Sequence, residues 1–119
     1  MAAVRRSMFV ATVLGLALAW GFDRVVVEGS SMAPTFEPGD RLLLVRRLRP
    51  LRPGDLVAFG DPRAPGRLLV KRVREVAATT VEVAGDNPSA STDSRTFGPL
   101  PIASVRHLVL RRYATRGQP

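Results

Sequence analysis

Two residues forty positions apart have types that could do chemistry together. They are Ser31, in Gly29-Ser30-Ser31-Met32-Ala33-Pro34-Thr35-Phe36, and Lys71, in Arg67-Leu68-Leu69-Val70-Lys71-Arg72-Val73. A serine hydroxyl is protonated at neutral pH and attacks a carbonyl only when a neighbouring base removes its proton as the bond forms. The single histidine, His107, sits among alternating apolar and basic residues with no acidic neighbour to orient it, and reads as a packed or solvated residue. A free lysine is no base at pH 7, but burial among apolar groups disfavours the ammonium and lowers its pKa. Strand alternation puts Leu69, Lys71 and Val73 on one face, so the nearest same-face neighbours of Lys71 are apolar. Of eighteen basic residues seventeen are arginine, which cannot deprotonate, so the one lysine stands where charge alone would not require it. Ser31 is read as a nucleophile and Lys71 as its general base.

These residues must be positioned by short strands, because from Arg24 onward no long amphipathic helix is written. Strands are expected at Val25-Val26-Val27, Arg41 to Arg46, Asp55 to Phe59, Leu68 to Val73, Thr79 to Ala84 and Val105 to Arg112. Turns fall at Glu37-Pro38-Gly39-Asp40, Arg52-Pro53-Gly54-Asp55 and Asp61-Pro62 to Pro65-Gly66, where proline presets φ and glycine accepts positive φ. The fold class expected is mainly β, a partly closed β-barrel core with one N-terminal hydrophobic helix. The chain divides into residues 1–23 as a membrane anchor, 24–113 as the catalytic domain and 114–119 as a disordered tail.

Four blocks, in order, resemble the signal peptidase I family of membrane-bound serine peptidases. Ser31-Met32-x-Pro34-Thr35-Phe36 with Gly39-Asp40 is similar to the nucleophile box, and Arg52-Pro53-Gly54-Asp55-Leu56-Val57-Ala58-Phe59 to the strand that follows it. Val70-Lys71-Arg72-Val73 resembles the general-base box, and Gly85-Asp86-Asn87-Pro88-Ser89-Ala90-Ser91-Thr92-Asp93-Ser94-Arg95-Thr96-Phe97-Gly98 the last box. The resemblance implies a Ser31/Lys71 dyad, with the Ser31 N–H as main oxyanion donor and Ser91 as the hydroxyl that orients the lysine. Asp93 and Arg95 would brace the site as a local ion pair, and Arg72 would be structural. Some relatives carry a serine hydroxyl two positions before the nucleophile; this chain has Gly29 there. Gly29-Ser30 is then either substrate cleft or an ordinary turn, and Met32 either shapes the cleft or fills the core. Pro34-Thr35 would fix the turn. Only eleven residues, Arg74 to Ala84, separate the last two boxes, so the chain resembles the small branch without a cap. That branch includes mitochondrial inner-membrane peptidases and the maturation peptidases of nickel-type superoxide dismutase; Pro88 and Ala90 most resemble the latter. The substrate implied is a precursor protein with a leader or pro-segment; no cofactor and no metal are implied.

The chain is 119 residues long, carries a formal charge of +8 and has no cysteine, which bounds it to about one domain and removes disulfides and thiolate metal sites. Its basic excess fits either phosphates or an anionic membrane surface. The stretch Ser7 to Phe22 is sixteen residues without a charge, somewhat short of the roughly 20 that span a bilayer, with Trp20 and Arg24 available at the interface. Arg5 and Arg6 before it predict a cytoplasmic N-terminus, a single pass in the cell membrane and a catalytic part on the outer face. A removable signal peptide cut near Ala17-Leu18-Ala19 and a buried core helix are the rival readings of that stretch. Two other classes remain. A self-cleaving Ser/Lys repressor-type protease would share the dyad, but no helix-turn-helix pattern is present. A basic β-barrel binding nucleic acid would need aromatic platforms, and Phe36, Phe59, Phe97 and Tyr113 are too scattered to form one. No nucleic-acid partner is therefore expected, and membrane lipid is.

Overall fold

The computed structural model describes residues 3–6 and 22–115. Eight strands make one antiparallel sheet: β1 (Ala3–Arg6), β2 (Phe22–Glu28), β3 (Arg41–Arg46), β4 (Leu56–Gly60), β5 (Leu68–Val76), β6 (Thr80–Ala84), β7 (Leu100–Pro101) and β8 (His107–Ala114). Their order is β1-β2-β3-β8-β4-β5-β6-β7. One helical turn, α1 (Ser94–Phe97), and the 3-10 turns Pro88–Ala90 and Ile102–Ser104 complete the described elements.

The architecture is mainly β, as the alternating runs predict. The sheet is not closed into a barrel. β1 touches back on β5 only at Ala3↔Leu69 and Val4↔Leu68, while the other half of β5, Arg72 to Val76, carries β6. β1 and β6 share one edge of the nine-residue β5, so the sheet curls round on one arm and runs out to the short β7 on the other. The expected anchor covers residues 1–23 with its apolar run at Ser7 to Phe22, and residues 7–21 of it lie outside the described residues; its flanks, Ala3–Arg6 and the start of Phe22–Glu28, are strands of the sheet. Among the described residues no helix is long and apolar enough to cross a membrane. β8 continues to the buried Ala114, one residue into the stretch expected as a tail, because Ala114 pairs with Arg41.

Burial explains the sequence patterns. β3 and β6 alternate, burying Leu42 and Leu44 in one case and Val81 and Val83 in the other. β4 and β5 carry unbroken apolar runs because both their faces are covered. Val25, Val27, Met32, Phe36, Leu42, Leu44, Ala58 and Val70 form one cluster. Leu51, Val57, Phe59, Leu69, Val73, Val81, Val83, Leu100 and Val105 form the second. The β4–β5 pair is thus the wall between two cores, and Lys71 stands in it opposite Val57.

Arginines fasten the loops. Arg47 donates through Nε to the Val105 carbonyl at 2.8 Å and through Nη1 to that of Arg49 at 2.9 Å, tying the β3–β4 connection to the entry of β8. Arg49 pairs with Asp55, Arg63 with Asp61 and Arg112 with Asp40. Part of the basic excess therefore serves loop structure.

Candidate active site

Ser31 sits on an excursion that leaves β2 and returns at β3. Its base is pinched shut, since the Val27 N–H donates to Asp40 O and the Gly39 N–H to Val27 O, both at 2.8 Å. Gly29 takes φ 76°, a backbone state that a side chain disfavours, and so starts the turn. Ala33 N then donates to Ser30 O at 3.1 Å and Phe36 N to Met32 O at 2.9 Å, with a cis bond between Ala33 and Pro34. Met32 and Phe36 insert into the first core cluster and anchor the turn from below. Met32 thus follows the core reading of the two the sequence leaves open.

Lys71 comes to the same place from the middle of β5. Its Nζ lies 2.9 Å from Ser31 Oγ and 3.1 Å from Ser91 Oγ. Ser31 and Lys71 are both 0 % exposed. Burial is the main influence on the lysine and lowers its pKa to about 8; the Asp93 and Asp61 carboxylates oppose the shift, and the Arg63 and Arg95 guanidiniums add to it. A lysine at that value has a substantial neutral fraction near neutral pH.

Beyond Lys71 the polar chain continues in one direction. Ser91 Oγ donates to Asp93 Oδ2 at 3.0 Å. Burial works to raise the Asp93 pKa, but the Arg95 side chain, the Gly85 and Arg95 N–H groups and the Ser91 hydroxyl outweigh it and hold the carboxyl at about 2. Arg95 Nε reaches Asp93 Oδ1 at 3.0 Å, and Asp93 also caps α1 by accepting from Arg95 N at 3.1 Å. The expected Asp93–Arg95 ion pair is therefore present, and Asp93 touches Ser91, which touches the lysine. Ser91→Ala removes one hydrogen bond to Lys71 but leaves both members of the pair in place. Any Ser31-dependent hydrolysis is expected to fall by about 10- to 100-fold in kcat, less than for either dyad residue. Steady-state kinetics of the folded variant check this.

The remaining site contacts join Arg72, expected as structural, and Thr35, expected to fix the turn, to Asp86 of the last box, and bring in Gly85 and Asn87 of the same box. Arg72 pairs with Asp86 through Nε at 2.9 Å and Nη2 at 2.8 Å, and Thr35 Oγ1 donates to the same carboxylate. The excursion that carries Ser31, β5 and the last box are thereby bolted together beside Ser31 and Lys71. Asn87 donates from its side-chain Nδ2 to Ser30 O at 3.1 Å and from its backbone N to Ser31 O at 2.8 Å. Gly85 is packed so closely that an added Cβ would lie 2.6 Å from Ser91 Cβ and 2.8 Å from Ser31 O. The tripeptide Gly85-Asp86-Asn87 is legible as a motif; its contacts with Ser30, Ser31 and Thr35 cross more than fifty residues and are not. His107 lines a cavity of about 360 Å³ with Asp23, Phe59 and Arg106, which shares no lining residue with the dyad. Among the described residues no group of acidic, histidine or cysteine side chains could hold a metal ion.

The family model described as signal peptidase, peptidase S26, matches residues 1–87. Mitochondrial ATP-independent inner membrane protease subunit 1a of Arabidopsis thaliana is 32 % identical over 112 residues, covering 72 % of this chain and 67 % of the relative. Subunit 1b of the same plant is 31 % identical over 111 residues, with 71 % of this chain and 65 % of the relative covered. Mitochondrial inner membrane protease subunit 1 of Xenopus tropicalis is 31 % identical over 111 residues, with 74 % and 66 % covered. The chain thus spans about two thirds of the length of these curated relatives. With the family model covering most of its length, the chain belongs to the signal peptidase family, peptidase S26.

Proposed function

We propose that this protein is a serine endopeptidase that removes an N-terminal leader or pro-segment from precursor proteins with a Ser31/Lys71 dyad. The observation that carries the reading is the buried contact of 2.9 Å between Lys71 Nζ and Ser31 Oγ, in surroundings that lower the lysine pKa to about 8. A neutral lysine has two N–H donors and one lone pair. Ser91 gives its only proton to Asp93, so toward Lys71 it accepts, and the lysine lone pair is left for the Ser31 hydroxyl. Ser31 Oγ attacks the substrate carbonyl as its proton passes to Lys71; the ammonium then protonates the leaving amine, and neutral Lys71 activates water to hydrolyse the acyl-enzyme. Negative charge on the carbonyl oxygen is met by the backbone N–H of Ser31.

The relatives' names place those proteins at a membrane, and the apolar run Ser7 to Phe22 supports a membrane-bound role here; with Ala3–Arg6 paired to β2 and β5, the N-terminal strand lies on the same side as the sheet, which the expected single pass with the N-terminus on the opposite face does not fit. Within the family, the box from Gly85 to Arg95 with Pro88 and Ala90 favours a nickel-type superoxide dismutase precursor as substrate. Mass spectrometry of two precursors tests both levels: a secretory leader ending in Ala-x-Ala and a nickel superoxide dismutase pro-form, each incubated in detergent with wild type and Ser31→Ala. Serine-dependent cleavage of either supports the peptidase; cleavage of the dismutase alone supports the narrower substrate. Absence of cleavage of both by folded protein overturns the reading.

The pH dependence follows from the lysine. Its neutral fraction grows as pH rises through about 8, so kcat/KM is expected to climb about tenfold between pH 7 and 9 along a single-proton limb. A profile flat over that range would separate the rate from Lys71.

A further inference from the structure

Two consecutive carbonyls of the nucleophile turn are held by one residue. Asn87 donates its side-chain amide to Ser30 O at 3.1 Å and its backbone N–H to Ser31 O at 2.8 Å. Ser30 O also accepts from Ala33 N at 3.1 Å, so both of its lone pairs are engaged. The peptide unit is planar and trans, so the N–H of Ser31 points opposite to the carbonyl of Ser30. Whatever fixes that carbonyl fixes the N–H.

We propose that Asn87 is a positioning residue for the oxyanion site: by clasping the Ser30 carbonyl it keeps the Ser31 N–H aimed away from the last box, toward the reacting carbonyl. The proposal rests on the peptidase reading above. Without the amide donor, only the turn bond from Ala33 opposes rotation of this peptide unit, and a rotated unit presents an oxygen where a donor is needed. Gly29 supplies no side-chain donor of its own, so the direction of this backbone N–H matters more. Among the described residues the Asn87 Nδ2 donates to no acceptor other than Ser30 O. Asn87 precedes the 3-10 turn Pro88–Ala90 without capping it by a side-chain bond, and its Oδ1 accepts from Ser89 Oγ at 3.1 Å, which leaves Nδ2 as the group facing Ser30. An aspartate of the same shape would set a carboxylate oxygen against the Ser30 carbonyl.

The test compares wild type, Asn87→Ala and Asn87→Asp on one cleavable peptide, with Ser31→Ala as blank. Two ligands accompany it: the matching peptide aldehyde, which forms a tetrahedral adduct on serine, and the peptide alcohol, which cannot. Asn87→Ala is expected to lose about 10- to 100-fold in kcat with KM within about twofold, and aldehyde affinity by a similar factor, while alcohol affinity and the pH limb stay put. Asn87→Asp, isosteric and still able to donate its backbone N–H to Ser31 O, is expected to lose more. Unchanged kcat in active, folded Asn87→Ala overturns the proposal alone. Equal weakening of aldehyde and alcohol, or a shifted pH limb, also overturns it by making Asn87 a general brace. No Ser31-dependent cleavage by wild type overturns the peptidase reading itself, and this proposal with it. If Asn87→Ala does not fold, the Asn87→Asp comparison of aldehyde with alcohol decides by the same criteria.

Discussion

Lys71→Arg is expected to be as inactive as Lys71→Ala, each at least about 10⁴-fold below wild type in kcat, alongside Ser31→Ala. Arginine keeps the charge and adds donors, so a lysine that served only as a cation would tolerate it. A general base would not, because guanidinium holds its proton at any working pH. Lys71 is fully buried in the wall between the two cores, with Leu69 and Val73 beside it. Lys71→Met separates chemistry from folding. The lysine pKa is lowered on folding, so between about pH 8 and 10.5 the unfolded chain binds a proton that the folded chain does not. Stability therefore rises across that window, and the cost of the buried lysine is full below it. Removing the amine is expected to recover on the order of 3 kcal/mol at pH 7, less about 1 kcal/mol for each of the two hydrogen bonds lost. Denaturant unfolding of Lys71→Met should show equal or greater stability than wild type at pH 7, an advantage that fades above about pH 10, with no activity at any pH. Lys71→Arg cleaving within about tenfold of wild type would remove the general-base assignment.

Gly85→Ala is the second large effect expected, and it arises without touching a reacting atom. The added methyl would stand 2.6 Å from Ser91 Cβ, closer still to Ser91 Oγ, and 2.8 Å from Ser31 O. One of these neighbours is hydrogen-bonded to Lys71 and the other belongs to the proposed nucleophile, so relief of the clash moves one of them. Displacements near 1 Å at a reacting pair cost about 10²-fold in rate, and overpacking adds about 1–3 kcal/mol of destabilisation. Gly85→Ala should therefore be more damaging than Ser91→Ala, which only removes a hydrogen bond. In Gly85→Ala/Ser91→Gly the crowding by Ser91 is gone but the Ser31 contact stays, so kcat should remain depressed. A Gly85→Ala enzyme with more than half of wild-type kcat, measured with its melting curve, would mean that the two segments part freely and the close approach carries no function.

The sequence by itself determined six of the eight described strands, all but β1 and β7, and singled out the proposed pair, Ser31 and Lys71. Alternation at Thr80 to Ala84, apolar runs at β3, β4 and β5, and proline-glycine turns between them fix strands by local rules, since side-chain period and turn chemistry act over a few residues. The lone lysine among seventeen arginines, with apolar neighbours on its own face, singled out Lys71 for the same local reason. Only the tertiary structure decided what that face meets. That β5 is covered on both sides, that β1 and β6 share its edge, and that Met32 belongs to the core all follow from packing between distant segments. The parts played by Gly85, Asp86 and Asn87 lie in contacts that return the last box to the nucleophile turn. No periodicity records such contacts, because they depend on where β6 ends relative to Ser31 and not on any neighbour in the chain.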